Sequence, residues 1–117
     1  MIRLGAVAMM VPDYDSGIAF YTAIGFELTA DLDQGRKRWV TMRAPGGGSE
    51  LVLAVGTDRP MERVAQFLHT DDFDAAAATI RAAGGTFEEE PRDEPYGRVA
   101  VWRDPFGNRW DLIEPQD

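Results

Sequence analysis

The chain has 117 residues, of which 44% are apolar and 10% aromatic, so it can build the core of one domain but not of two. Twelve basic and twenty acidic residues give a formal charge of -8, which excludes nucleic acid as an expected partner and favours cationic ligands. The absence of cysteine excludes disulfides and thiolate chemistry, and no apolar stretch is long enough to span a bilayer, so we expect a cytoplasmic protein without membrane contact.

The first half of the chain predicts a strand, a helix and three further strands. Residues 3–11 are apolar and strand-like, and either Asp13 or Asp15 can cap a helix that runs to about Ile24. Gly25 is a typical stop signal for that helix. Turn-forming glycine and proline residues then separate three predicted strands, at about 26–32, 37–43 and 49–55.

The second half repeats this order of elements. Residues 64–70 predict a strand, and either Asp72 or Asp74 can cap a helix that runs to about Ala83. A glycine pair follows that helix. Strands are expected at about 86–90, 97–103 and 109–114, and the residues from Pro91 to Gly97 are expected to form a polar connection.

Direct comparison of the two halves shows a tandem repeat. Asp13 lies over Asp72 at an offset of 59 residues, and further along Arg38 lies over Arg98 at an offset of 60. The repeat predicts an α+β fold of two tandem βαβββ modules, about 1–56 and about 64–117, within one domain spanning 1–117. One helix cannot cover both faces of a sheet, so we expect two curled mixed sheets around a concave, ligand-binding cup.

The repeated segments resemble a known family, the vicinal oxygen chelate superfamily of glyoxalases, bleomycin resistance proteins and extradiol dioxygenases. The resemblance is carried by three segments in the order PDYDSGIAFYTAIGFEL, FLHTDDFDAA and EPYGRVAVWRDPFGNRWDLIEP, and it covers almost the whole chain. It implies the same tandem βαβββ fold. It also implies a divalent metal in the enzymes of the family and a metal-free ligand site in its drug-sequestering members, and the fold alone does not choose between them.

In the metal-dependent relatives the ion is held by His or Glu residues on the first and last strands of each module. Matching the repeat, with one more residue inserted in the second copy, places these positions at Ala6, Glu50, Ala65 and Asp111. Alanine has no donor atom, so two carboxylates stand where the enzymes use three or four ligands. We therefore expect no bound metal and no other cofactor. The alternative is a non-standard divalent metal site formed by His69, Glu50 and Asp111.

Several other residues are candidates for lining the cup. His69 is the only histidine, and strand alternation places it on the same face as Phe67. Trp39 and Trp102 lie on corresponding strands one residue out of register, so they are expected on opposite faces. The acidic run Glu88 to Glu90 is expected to be balanced by Arg98, Arg103 and Arg109. The predicted ligand-binding set is His69, Phe67, Glu50, Asp111, Trp39, Trp102 and Tyr96.

The leading hypothesis is a metal-free protein that binds a small organic molecule and sequesters an aromatic or cationic antibiotic. The alternative is a metal-dependent lyase or dioxygenase, in which His69, Glu50 and Asp111 would be catalytic. A third hypothesis is a partner-binding domain whose cup is filled by its own side chains. Because a second subunit often completes the cup in relatives, we also expect a homodimer.

Overall fold

The computed structural model describes residues 1–35, 38–56, 64 and 66–116. The chain divides into two compact units, Met1–Arg59 and Pro60–Asp117, which we call unit 1 and unit 2. Within the described residues, each unit has one helix and one sheet of its own. The predicted α+β class and the repeated order of elements are confirmed, and the two units are described in turn.

Unit 1 contains a four-stranded mixed sheet in the order β1-β4-β3-β2. Strand β1 pairs in parallel with β4, and the other pairs are antiparallel. Helix α1 is capped by Asp13, whose carboxylate accepts a hydrogen bond from the Ser16 backbone N–H at 2.7 Å. The elements are β1 (Ala6–Val11), α1 (Tyr14–Ala23), β2 (Glu27–Asp33), β3 (Arg38–Arg43) and β4 (Glu50–Val55).

Unit 2 contains a five-stranded sheet in the order β5-β9-β8-β6, with β7 also paired to β8. Strand β5 runs parallel to β9, as β1 does to β4 in unit 1. Asp72 caps α2, and Gly84 ends it in the left-handed conformation at φ 112°. The elements are β5 (Gln66–His69), α2 (Phe73–Ala83), β6 (Thr86–Phe87), β7 (Arg92–Glu94), β8 (Gly97–Arg103) and β9 (Arg109–Pro115).

The strand predicted at 86–90 is shorter than expected, and the polar connection after it contains a strand that the sequence did not predict. Pairing of β6 with β8 stops at Phe87, and pairing resumes when Arg92 reaches Val99. Between these two points the Glu89 carboxylate, instead of a neighbouring strand, accepts the Val101 backbone N–H at 2.8 Å. A side chain therefore replaces one rung of the sheet, which explains why the edge is divided into β6 and β7.

In each unit the helix packs on one face of the sheet. A Cβ on Gly17 of α1 would lie 3.0 Å from side-chain atoms of both Val11 and Leu53, so these strand residues face the helix. A Cβ on Gly85, just after α2, would meet the side chains of Ile80 and Trp102. Because strand residues alternate between faces, their sequence neighbours face away from the helix. We call this second face of each sheet the helix-free face.

The start of each helix is tied to a sheet strand by one arginine. In unit 1 the Arg38 guanidinium lies over the Tyr14 ring, 5.3 Å from its centroid, and forms an ion pair with Asp15 at 3.2 Å. The equivalent residues of unit 2 make the same contacts, and they are Arg98, Phe73 and Asp74. Within the described residues, no helix is long and apolar enough to cross a membrane.

Candidate functional site

The last strands of the two units can be matched through their pairing with neighbouring strands. Met42 of β3 pairs with Leu51 of β4, and Trp102 of β8 pairs with Trp110 of β9. Met42 and Trp102 are equivalent in the repeat, at the offset of 60 that also relates the flanking arginines. Leu51 is therefore the structural equivalent of Trp110, and the offset in the last strands is 59.

The prediction that Glu50 and Asp111 occupy equivalent positions is wrong. With this register Asp111 corresponds to Val52, and Glu50 corresponds to Arg109. The first strands give the same match. Val52 pairs with Ala8 and Asp111 pairs with Phe67, and Ala8 and Phe67 are equivalent at the offset of 59. The physical reason is the loop before the last strand, which has six residues (44–49) in unit 1 and five (104–108) in unit 2, so the inserted residue lies in the first copy.

This correction changes the ligand set available to a divalent ion. The four positions that carry metal ligands in relatives become Ala6, Val52, Ala65 and Asp111, and Ala65 lies outside the described residues. Of these four residues, Asp111 alone has a side chain that can bind a metal ion. In the part of the chain that the structure describes, no group of three or more His, Asp or Glu side chains is placed to hold a metal ion. These residues do not fit the metal of the enzymes.

On the helix-free face of unit 1, Glu50 is already engaged by an arginine. Arg43 donates to the Glu50 carboxylate at 3.1 Å, and the pair lines a groove of about 570 Å³ beside Ala6. Trp39 lies on the same face, paired with Leu32, and its side chain is 46% exposed. Apart from the ion pair, this face is mostly apolar.

On the helix-free face of unit 2, Asp111 stands between two apolar neighbours. It pairs with Phe67 on one side and with Val101 on the other. Its Oδ1 atom is buried and has no hydrogen-bond partner among the described residues. Burial raises the pKa of Asp111, Arg92 and Arg109 oppose that rise, and Glu89 adds to it. A half-buried carboxylate of this kind is ready to accept a hydrogen bond from a bound molecule.

Three further predicted residues lie near this carboxylate or on the same face. Phe67 is 54% exposed, which leaves its ring available for stacking. His69 follows Phe67 on the same face, pairs with Ile113 and is exposed, as strand alternation predicted. Tyr96 is also exposed, and its side chain helps to raise the pKa of Arg92, although the hydrogen bond from Arg92 to Glu89 contributes most.

Trp102 lies on the opposite face of the same sheet, beneath α2. It is completely buried, its ring stacks on Trp110 with centroids 5.6 Å apart, and Phe87 packs against it. The structure therefore places Trp102 in the hydrophobic core, away from the face that carries Asp111. The prediction that Trp39 and Trp102 lie on opposite faces of their respective sheets is confirmed.

The acidic run is paired rather than simply solvated. Glu88 accepts from Arg109 at 2.6 Å and from Arg103 at 3.3 Å, and these bonds lower its pKa. Glu89 binds Arg92, which also donates to Glu94 at 3.0 Å. The prediction that Arg103 and Arg109 balance this charge is confirmed, whereas Arg98 pairs with Asp74.

Two features of the site were missed in the sequence. Val52 was overlooked. It lies between two apolar residues, Leu51 and Leu53, just as Asp111 lies between Trp110 and Leu112, and this shared pattern could have revealed the register. The role of Arg92 carried no sequence signal, because its partners lie three residues before it and two residues after it in an irregular edge.

A family model described as Glyoxalase/Bleomycin resistance protein/Dioxygenase superfamily matches residues 3–112. The chain belongs to this superfamily. The resemblance inferred from the sequence is thereby confirmed, and the tandem βαβββ fold is the fold of the superfamily's solved members.

Three proteins similar to this superfamily member bear on its function. An uncharacterized protein of Shewanella frigidimarina is 35% identical, covering 95% of this chain and 92% of the relative. The anthracycline biosynthesis protein DauV of Streptomyces sp. strain C5 is 32% identical over 95% of this chain, which spans 41% of DauV. The crystal structure of TnmS3, an antibiotic binding protein from Streptomyces sp. CB03234, has a TM-score of 0.84, 29% identity and coverage of 99% and 98%.

Proposed function

We propose that this protein binds a small aromatic or cationic organic molecule without a metal ion, and that its role is to sequester an antibiotic. The observation that carries the proposal is the Asp111 carboxylate, whose buried Oδ1 has no partner in the described structure, beside the exposed ring of Phe67. Two relatives support the ligand class, because TnmS3 is an antibiotic binding protein and DauV belongs to anthracycline biosynthesis.

The two side chains suit different parts of one ligand. An aromatic plane stacked on Phe67 buries apolar area and gains a ring contact, and a donor on the same ligand meets Asp111. A hydrogen bond to an ionised group contributes more than one between neutral groups, since the carboxylate gains the partner that it lacks in the free protein. Neither contact requires a metal ion.

Binding is tested with daunorubicin and bleomycin as probes, on protein treated with a chelator. We expect each active probe to raise the melting temperature, because a ligand bound only to the folded state at a hundred times its Kd stabilises that state by about 2.7 kcal/mol. Phe67→Ala and Asp111→Asn are each expected to weaken binding about tenfold. Asp93→Asn is the matched control, since Asp93 is exposed and faces no predicted ligand.

Two outcomes would count against the proposal. One is the absence of any melting shift with planar aromatic or cationic probes. The other is a stoichiometric divalent ion, found by elemental analysis, that manganese or nickel restores after chelation and that probe binding requires. That second result would favour the predicted lyase or dioxygenase with His69, Glu50 and Asp111, for which the structure offers no specific support.

Trp39 and Glu50 remain predicted ligand contacts on unit 1. Trp39→Ala and Glu50→Gln in the same titration test whether unit 1 contributes to binding. We further propose that the protein forms a homodimer, because Leu32 and Trp39 leave an apolar pair exposed on unit 1. We also propose that it is cytoplasmic, as the lack of cysteine favours.

A further inference from the structure

The arginines nearest to Asp111 on the helix-free face of unit 2 are all held by glutamates. Arg103 and Arg109 both donate to Glu88. Arg92 donates to both Glu89 and Glu94. Among the described residues no arginine forms an ion pair with Asp111. Asp111 thus lacks a cation among the described residues, although the arginines around it are engaged by other carboxylates.

The position of Glu89 explains why Arg92 does not reach Asp111. Val101 is the cross-strand partner of Asp111, and the Val101 backbone N–H donates to Glu89 at 2.8 Å. The Glu89 carboxylate is therefore anchored one strand away from Asp111, independently of Arg92. Arg92 lies in the next row of the same face, paired with Val99. Its charge is felt at Asp111, but its hydrogen bonds are directed to Glu89 and Glu94.

We infer that Asp111 recognises an organic cation, such as a protonated amine, and that Glu89 is the positioning residue that keeps Asp111 available by holding Arg92 away. This inference rests on the proposed function and deepens it. With the glutamate neutralised, Arg92 loses one of its two carboxylates and turns to the nearest unpaired one. Asp111 then gains an internal partner, and a cationic ligand must displace it.

The test compares two probes with the same aromatic rings, daunorubicin, whose amino sugar is protonated, and its neutral N-acetyl derivative. The wild-type protein is expected to prefer the amine about tenfold, because charged hydrogen bonds are the stronger ones. Glu89→Gln is expected to remove most of this preference while leaving the affinity for the N-acetyl probe unchanged. The Gln side chain retains an oxygen that can accept the Val101 N–H, so the local backbone is preserved.

A double substitution separates positioning from simple loss of negative charge. In Glu89→Gln with Arg92→Gln the released arginine is absent and Arg103 and Arg109 stay bound to Glu88, so the preference for the amine is expected to return. Glu90→Gln is the matched control, since Glu90 is an exposed neighbour whose loss changes the net charge equally. This control is expected to keep the preference for the amine within about twofold of the wild-type value, because salt screens an exposed surface charge.

Each result bears on a different claim. If the wild-type protein binds neither probe, the proposed function itself fails. If it binds both probes equally, aromatic binding stands and recognition of a cation is overturned. If Glu89→Gln weakens both probes alike, or if removing Arg92 does not restore the preference, then Glu89 has only a structural role and its positioning role is overturned.

Discussion

At the scale of single residues, Asp111 is a carboxylate that costs stability in the free protein. Burial raises its pKa, which means that the ionised form is less favourable in the folded chain than in the unfolded chain. The folded state therefore binds a proton more readily, and this penalty is present at neutral pH and shrinks as the pH falls through the raised pKa. A residue kept at such a cost is typical of a binding surface.

Asp111→Asn is accordingly expected to stabilise the ligand-free protein while weakening ligand binding. The gain at pH 7 is expected to be about 1 kcal/mol or less, because Asn keeps the buried oxygen but removes the negative charge that burial makes unfavourable, and solvent screens part of that charge. Urea unfolding at pH 7 measures it, with Asp93→Asn as the control for removing an exposed carboxylate. A variant that is less stable than the wild-type protein would show that Asp111 has a structural partner.

At the scale of elements, one glutamate joins two strands of unit 2. Glu88 lies just beyond β6 and accepts from Arg103 at the end of β8 and from Arg109 at the start of β9. Both hydrogen bonds lower its pKa, that of Arg109 first. A carboxyl whose pKa is lowered by folding stabilises the protein above its ordinary pKa of 4.5. That contribution disappears as the pH falls through the lowered value.

Glu88→Gln is therefore expected to reduce the free energy of unfolding at pH 7 by about 1 kcal/mol or less, because the side chains are about one-third exposed and solvent screens them. The difference from the wild-type protein is expected to disappear when unfolding is measured below the lowered pKa. Glu90→Gln again provides the control. A difference that persists unchanged in strong acid would assign the effect to packing and not to charge.

The sequence predicted the helices well, because each has a local capping signal. Asp13 and Asp72 are the actual caps among the two candidates offered for each helix. The edge of the second sheet was not predictable in the same way. Arg92, Asp93 and Glu94 have weak strand propensity, and they pair with β8 only because the sheet edge and the Arg92 ion pairs hold them there.

At the scale of the whole molecule, the repeat predicted the architecture of both units but not the register of their last strands. Arginines that recur in both halves of the chain, Arg38 with Arg98 and Arg43 with Arg103, fix the offset up to β3 and β8, and the loop that follows differs in length. Sequence matching placed the extra residue in the wrong copy, because Glu50 and Asp111 are chemically alike. Strand pairing depends on residues far apart in the sequence, so it is visible only in the structure, where it makes Asp111 the equivalent of Val52.

The two helix-free faces carry different side chains, although the strands beneath them are paired in the same way. Unit 1 exposes Leu32 and Trp39, and we expect these side chains to contribute to the proposed homodimer. A double substitution, Leu32→Ser with Trp39→Ser, is expected to shift the sedimentation profile from dimer to monomer, because a few residues, often Trp, carry most of the binding energy of an interface and the serines also remove its apolar area. Leu28→Ser, which removes an exposed leucine on the other face of the same strand, is the control. A wild-type monomer would contradict the homodimer.

The glycine loop between β3 and β4 has a practical consequence. Apart from the adjacent residues of the chain, no atom of the described residues lies within 4 Å of the place where a Cβ on Gly46, Gly47 or Gly48 would stand, so there is open space beside this bend. The second unit accomplishes the same reversal with one residue fewer and keeps its ladder intact. The bend is thus a point at which chain can be added or removed without disturbing the strands, and it suits the insertion of an epitope or a fluorescent label.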